Sequence, residues 1–339
     1  MPTTALDSTN PTYLDLIKSQ NPDGSAAKIV EILQRACPLM QFLNFQQGNL
    51  DTGHRVSVET ALPSVGYVAF NEGVESGKYE TGQFDEQCGM MEGKSTLDCK
   101  LFDLNGGDAY RARYDMKILR SFQNEIETGM FYNSTATSPR RWNGLAPRYA
   151  NLSSASIPFS GQVIDSSVAG GTGNDQTSVW LIHSSPETVF GIVPKGQGVG
   201  LKTSNMGVQM VPDAAGNTYR AYQTVWNWNV GLCVADGEAV VRIANVDTGS
   251  IVGTGQLLID DLDTAWFRLP NRVKTMPGRI AWFMNSTLAE YLHKQAKAST
   301  ASSTLSIKTD LITGQEITHY MGKPIFISDQ IVNTEAPIA

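Results

Sequence analysis

The sequence predicts a mixed α+β fold organised around one long helix, and three observations carry that prediction. Tyr110, Tyr114, Ile118, Phe122, Ile126 and Met130 recur at steps of four, the spacing of a helical face, which marks a helix over 108–131. Apolar and polar residues alternate in His54–Thr60 and again in Ser64–Phe70 after Pro63, as they do in half-buried strands. A strand from Arg279, a helix and a strand pair ending near Val332 close the chain.

The first segment, to about Gly53, reads as two helical pieces joined by the turn Asn21-Pro22-Asp23-Gly24, with Ser25 as N-cap of the second. Ala26, Ile29, Val30 and Leu33 repeat at helical spacing, and Pro38 is expected to stop the pattern just past Cys37. From His54 to about Lys100 follow two or three short strands and recurrent glycines. So few bulky apolar residues cannot close a private core, because an isolated hairpin is marginal in water. This stretch must lean on something else.

The helix after Asn105-Gly106-Gly107 is long for a globular protein, and its four-residue ladder drifts around the axis, so it contacts several neighbours as a spine. Beyond Tyr132 a polar loop runs to Pro147. From Ile157 to Leu269 the pattern is strands and loops, with one helix expected at 186–193 opening at Pro186. Pro277-Gly278 precede the strand Arg279–Met284. Asn285 and Ser286 then cap a helix carrying Leu288, Tyr291, Leu292 and Ala296. Gly322-Lys323-Pro324 separate the halves of the closing strand pair.

Composition narrows the function. The chain has 339 residues and a formal charge of -7, from 26 basic and 33 acidic residues, which argues against a grip on nucleic acid through many phosphates. Charged residues make up only 17%, a balance suited to a surface that works against other protein. The opening residues lack a basic start and an apolar run, so the expectation is a protein made and kept in a cytoplasm, with no membrane partner. The four cysteines, Cys37, Cys88, Cys99 and Cys233, are scattered and expected to be reduced.

Motifs for chemistry are weak. Lys195-Gly-Gln-Gly-Val-Gly-Leu-Lys202-Thr203 ends like a phosphate loop, but Leu201 breaks the required Gly-Lys adjacency. His54, His183, His293 and His319 have no metal-ligand spacing. Asp260-Asp261-Leu262-Asp263 reads as a solvated turn rather than a glycosidase pair. No cofactor, metal or catalytic residue is called for. Arg140-Arg141-Trp142 and Arg148-Tyr149 combine residue types enriched in protein interfaces.

The order of these parts is similar to that of a known family. The stretch Gly48 to Pro63 looks like the lead-in to an extended loop. Phe131 to Ser134 and Trp142 to Arg148 look like the exit from a spine helix. Gln223 to Asp236, continuing through Val241 to Asp247, resembles a middle domain, and Met284 to Leu288, Gly322 to Asp329 and Asn333 to Ala336 resemble closing elements. On these stretches the chain resembles the major capsid proteins of tailed double-stranded DNA bacteriophages, with the Hong Kong 97-type fold, and most closely the short-tailed branch.

The resemblance implies an N-terminal arm over 1–53 and an extended loop over 54–104. The spine helix and peripheral domain would take 105–160, a mainly axial domain 161–275, and a return to the peripheral domain 276–339. It implies a head protein that self-assembles into pentamers and hexamers of an icosahedral shell around packaged DNA, the alternative being a tail or sheath protein. Implied partners are copies of itself, scaffolding, portal and decoration or cement proteins, and packaged DNA bound without sequence preference. Assembly is expected in the bacterial cytoplasm. Val56, Val58, Val65, Tyr67, Phe70, Tyr114, Phe122, Arg140, Arg141, Trp142 and Arg148 are the candidate subunit contacts.

Overall fold

A computed structural model describes residues 37–74, 76–104, 107–152, 160–166, 173, 175–213, 215–249, 258–298, 305–309 and 316–338. The expected turn at Asn21, the helix from Ser25, the glycines at 170 and 171 and residues 299–304 lie outside them. In chain order the chain forms helix α1 (Pro38–Phe42), strands β1 (Phe45–Gln47), β2 (Gly53–Ala61), β3 (Glu80–Gln87) and β4 (Gly89–Asp98), and helices α2 (Cys99–Leu104) and α3 (Asp108–Tyr132). Strands β5 (Val163–Asp165), β6 (Gln176–Ser184), β7 (Val189–Val193), β8 (Lys202–Pro212), β9 (Thr218–Val234) and β10 (Val240–Asp247) follow. Helices α4 (Leu258–Arg268) and α5 (Asn271–Thr275), strand β11 (Arg279–Met284), helix α6 (Ser286–Ala298) and strands β12 (Leu305–Thr309), β13 (Glu316–Tyr320) and β14 (Lys323–Ile327) complete it.

Two compact units emerge. Among the described residues, one holds 90–126 and 200–228, the other 37–89, 127–199 and 229–338. Residues 200–228 gather with most of α3 through the long β8–β9 hairpin.

In the first unit, β8 and β9 pair antiparallel from Lys202↔Asn227 to Pro212↔Thr218, with a shift between Asn205 and Gly207. Gly207 has φ +68, a conformation that a residue with a Cβ adopts at a cost. Leu97, Leu101 and Tyr110 form a small core with Phe102 against it. Arg111 fixes the helix to the hairpin: it donates to Asn205 Oδ1 at 2.8 Å and Thr224 Oγ1 at 2.7 Å, and lies over the Tyr222 ring at 5.2 Å.

The second unit is built on β6, buried along its whole length. A strand covered on both faces shows a continuous apolar run instead of alternation, and Val179, Trp180, Leu181 and Ile182 supply it. β10 and β11 flank β6 antiparallel, β14 joins β11 in parallel, and β13 and β12 follow antiparallel. On the other side of this unit β7 pairs in parallel with β1 and antiparallel with the end of β9. Gly191 on β7 leaves room for the Phe45 ring.

Several expectations from the sequence are corrected. Pro38 begins helix α1, because the first helical position needs no N–H, while the helix it was expected to stop lies outside the described residues. Residues 37–53 are not wholly helical: Leu39, Phe42 and Leu43 are buried and β1 belongs to the sheet of the second unit. Residues 186–193 form a turn and then β7, because Val189-Phe-Gly-Ile-Val193 is a short apolar run whose periodicity cannot separate helix from strand. Residues 258–268 form α4, with Leu258, Leu262 and Ala265 buried at helical spacing. Asp260 and Asp261 sit in its first turn, where the helix dipole favours carboxylates, so they are not a loop. Asn285 caps α6 as expected, its Oδ1 accepting from Leu288 N at 2.9 Å. All four cysteines are free thiols.

Candidate assembly surface

β2 and β3 pair antiparallel from Gly53↔Gln87 to Ala61↔Glu80. Because strand side chains alternate, His54, Val56 and Val58 share one face with Phe84 and Glu86 opposite, while Arg55, Ser57 and Glu59 share the other with Asp85 and Gln83. The second face is polar and closed by Arg55, which donates to both Asp85 oxygens at 2.6 and 2.7 Å. The Val56 face leans on the same unit at its base. There Val56 and Cys88 pack against Phe190, Ile192 and Cys233, and the His54 ring meets Phe190 edge-on at 5.6 Å. Burial holds the His54 imidazole below its usual range, opposed by the nearby Glu86 carboxylate. The ribbon is therefore not without support in its own chain, since Val56 finds a partner there.

Support ends beyond Ala61. Ser64–Phe70 was expected to continue as a strand after Pro63, but no regular structure forms there. Among the described residues no strand pairs with Val65 and Tyr67 to order them, and Gly66 sits between the two. The path closes where Gly77 passes Pro63 and Ser64: a Cβ at Gly77 would lie 2.8 Å from the Ser64 nitrogen. At the tip Ala69 N donates to Glu72 Oε2 at 2.8 Å, and Asn71 takes φ +68. Val65 is 95% exposed, Tyr67 107% and Phe70 102%, and Leu62, Val68, Val74 and Tyr79 are exposed as well. Contiguous bare apolar side chains of this number mark an interaction surface.

The other candidate contacts divide differently. Trp142 is 2% exposed and packs where a Cβ on Gly89 would meet its ring at 2.7 Å, so it offers no surface to a neighbour. Phe122 is 6% exposed and covers Gly93 in the first unit, while Tyr114 on the same helix is half-buried. Arg148 clamps both oxygens of Glu86 at 2.5 and 2.7 Å, which ties the hairpin base to the loop after α3. Arg141 is exposed but donates to Asn133 Oδ1 at 3.1 Å, and its carbonyl accepts from Gln87 Nε2 at 2.5 Å. Arg140 is exposed. The candidates thus separate into a bare tip (Val65, Tyr67, Phe70), exposed arginines (Arg140, Arg141), half-buried residues (Val56, Val58, Tyr114, Arg148) and buried rings (Phe122, Trp142).

One surface escaped the sequence reading. Met206, Val208 and Met210 lie exposed on β8, and Met90, Met116 and Leu119 are exposed in the same unit. Among the described strands, β8 pairs with β9 alone, so its other edge is open. The alternate spacing of Met206, Val208 and Met210 was the available signal. Among the described residues no three His, Cys, Asp or Glu side chains group as a metal site requires, and no helix is long and apolar enough to cross a membrane.

A family model described as major capsid protein GP7 matches residues 21–339. The structure of bacteriophage Epsilon15 contains a chain 24% identical, with 99% of each chain covered and a TM-score of 0.77. The bacteriophage JBD30 capsid contains one 8% identical, with 96% of each covered and a TM-score of 0.52. No curated protein sequence matches. The mixed helix-and-sheet fold is that of Hong Kong 97-type phage capsid chains, the fold class expected from the sequence.

Proposed function

Given that the chain belongs to the major capsid protein GP7 family and is a structural component of a phage head, we propose that its 62–79 tip is the principal contact through which one copy holds the next. The observation that carries this reading is the row of bare side chains at Leu62, Val65, Tyr67, Val68, Phe70, Val74 and Tyr79, on a ribbon whose base is anchored by Arg148–Glu86. Fully burying one large apolar side chain contributes about 1.5–3 kcal/mol. Several tips closing around a ring give a durable shell from individually weak contacts, because each copy must leave several partners at once.

On this reading copies gather into hexamers and pentamers of an icosahedral shell. The reading is structural rather than catalytic. Scaffolding, portal and decoration or cement proteins complete the partner set, and packaged DNA lies inside without sequence-specific contact, as a net charge of -7 favours. Assembly takes place in the host cytoplasm. Nothing in the chain favours the alternative of a tail or sheath protein.

The test is a deletion of residues 64–76, compared with the full chain by circular dichroism, sedimentation and electron microscopy. Folded subunits that build no shells are the expected result. Shells of normal yield and size would overturn the role of the tip, and open tubes from the full chain would favour the tail reading.

A further inference from the structure

Helix α3 carries a patch of positive charge that the 62–79 tip does not use. Arg113, Lys117 and Arg120 follow one another at steps of four and three, so they fall within about 60° of one another around the helix axis. All three belong to the first unit. Lys117 is exposed and the two arginines are half-buried.

The opposite side of the helix is the one that packs. A Cβ on Gly93 of β4 would meet the Phe122 ring, and Ile118 at 3.3 Å. The three cations stand about 140–180° from Phe122 around the axis. Acids are turned away from them. Asp115, the one acidic residue between 113 and 124, accepts from Ser95 Oγ of β4 at 3.0 Å and lies 3.9 Å from Arg111. Glu125 stands about 80° from Lys117, and Asp108 sits in the first turn of the helix.

We propose that this face of α3 is where the subunit meets duplex DNA, through phosphates alone, and hence that it lines the inside of the shell. The inference rests on the capsid reading above and adds to it the face that the DNA touches.

Chemistry and spacing both favour a phosphate backbone. Three cations, with Asn124 continuing the same face one turn on, are residue types that bond phosphate oxygens and so position DNA without reading its bases. At a rise of 1.5 Å per residue Arg113 and Arg120 are about 10 Å apart along the axis, a span over which a duplex presents several phosphates whatever its sequence. An apolar protein partner finds less there. Met116 borders the face, its sulfur 3.9 Å from the Arg120 guanidinium, but the exposed Leu119 lies about 100° beyond Arg120. The rest of the chain, at a net charge of -7, opposes the attraction, so the hold is weak and is released by salt.

Fluorescence anisotropy of a labelled duplex of about 20 base pairs, titrated with full-length unassembled subunits between roughly 20 and 150 mM salt, reads the contact. Three neutralised phosphates give a slope of log affinity against log salt of about -2.7, the same for two duplexes of unrelated sequence. Replacing all three cations, Arg113→Gln, Lys117→Gln and Arg120→Gln together, is expected to bring the slope close to zero. Lys117→Ala alone should make it shallower by about 1. Lys117 is exposed, so the single variant decides even if the triple one does not fold. An unchanged slope in Lys117→Ala, or a preference for one duplex, would overturn the assignment. Variants that keep their DNA affinity but no longer build shells in electron microscopy would also overturn it, by giving the face to a protein partner. Failure of the capsid reading itself shows differently, as a wild-type chain that builds no shells.

Discussion

Arg242 is 4% exposed, and its charge is met on every side. The guanidinium donates to Glu335 Oε2 at 2.7 Å, Ser178 Oγ at 3.0 Å and the Tyr149 carbonyl at 2.8 Å, and lies 4.9 Å from the centre of the Trp180 ring. Glu335 also accepts from Tyr132 and Ser178, each at 2.5 Å. Removing one partner of a buried pair strands the other, so Glu335→Ala is expected to cost about 3–5 kcal/mol and lower the unfolding midpoint in calorimetry. A midpoint unchanged within error would contradict the buried pairing. The thiols give a second residue-scale prediction. Burial pushes Cys88 and Cys233 up to about 12, so both remain thiols at pH 8 and resist alkylation in the folded protein. Intact-mass measurement after iodoacetamide should show neither labelled unless denaturant is added.

At the scale of elements, Trp142 and Phe70 make opposite predictions although both are large aromatic side chains. Trp142 fills the space over Gly89 and Gly129, so Trp142→Ala should destabilise the subunit by about 3–5 kcal/mol in chemical denaturation. Phe70 touches nothing that a folded subunit needs, so Phe70→Ala should leave that denaturation curve in place and weaken association by roughly 10- to 100-fold in sedimentation assays. An equal effect of both on stability would remove the distinction between anchor and tip. This difference was not legible in the sequence. Both residues lie in polar, glycine-containing surroundings, and the covering of Trp142 depends on contacts distant in sequence. The long helix α3 was legible from its apolar periodicity, and the strand β11 from the Pro277-Gly278 turn that precedes it. β7 and α4 were not: a short apolar run fits either structure, and Asp260, Asp261 and Asp263 masked the buried stripe of Leu258, Leu262 and Ala265.

At the scale of the whole molecule, charge and apolar surface pull in opposite directions. A net charge of -7 makes copies repel, and salt shortens the reach of that repulsion to about 8 Å at physiological strength. The contacts proposed through Tyr67, Phe70 and their neighbours would be apolar and insensitive to screening. Shells should therefore persist, or form more readily, when salt is raised to roughly 0.5 M, a strength at which ion-pair contacts are screened. Dissociation under those conditions, followed by light scattering, would assign the contacts to ion pairs instead of the tip.

The nearly complete exposure of Tyr67 and Phe70 also bears on the subunit before it meets a partner. A newly made chain displays an adhesive end that none of the described residues covers, so idle copies are a hazard that grows with their concentration. A cell making this protein cannot stockpile it, and synthesis has to be matched by consumption into particles or by a temporary escort over residues 62–79.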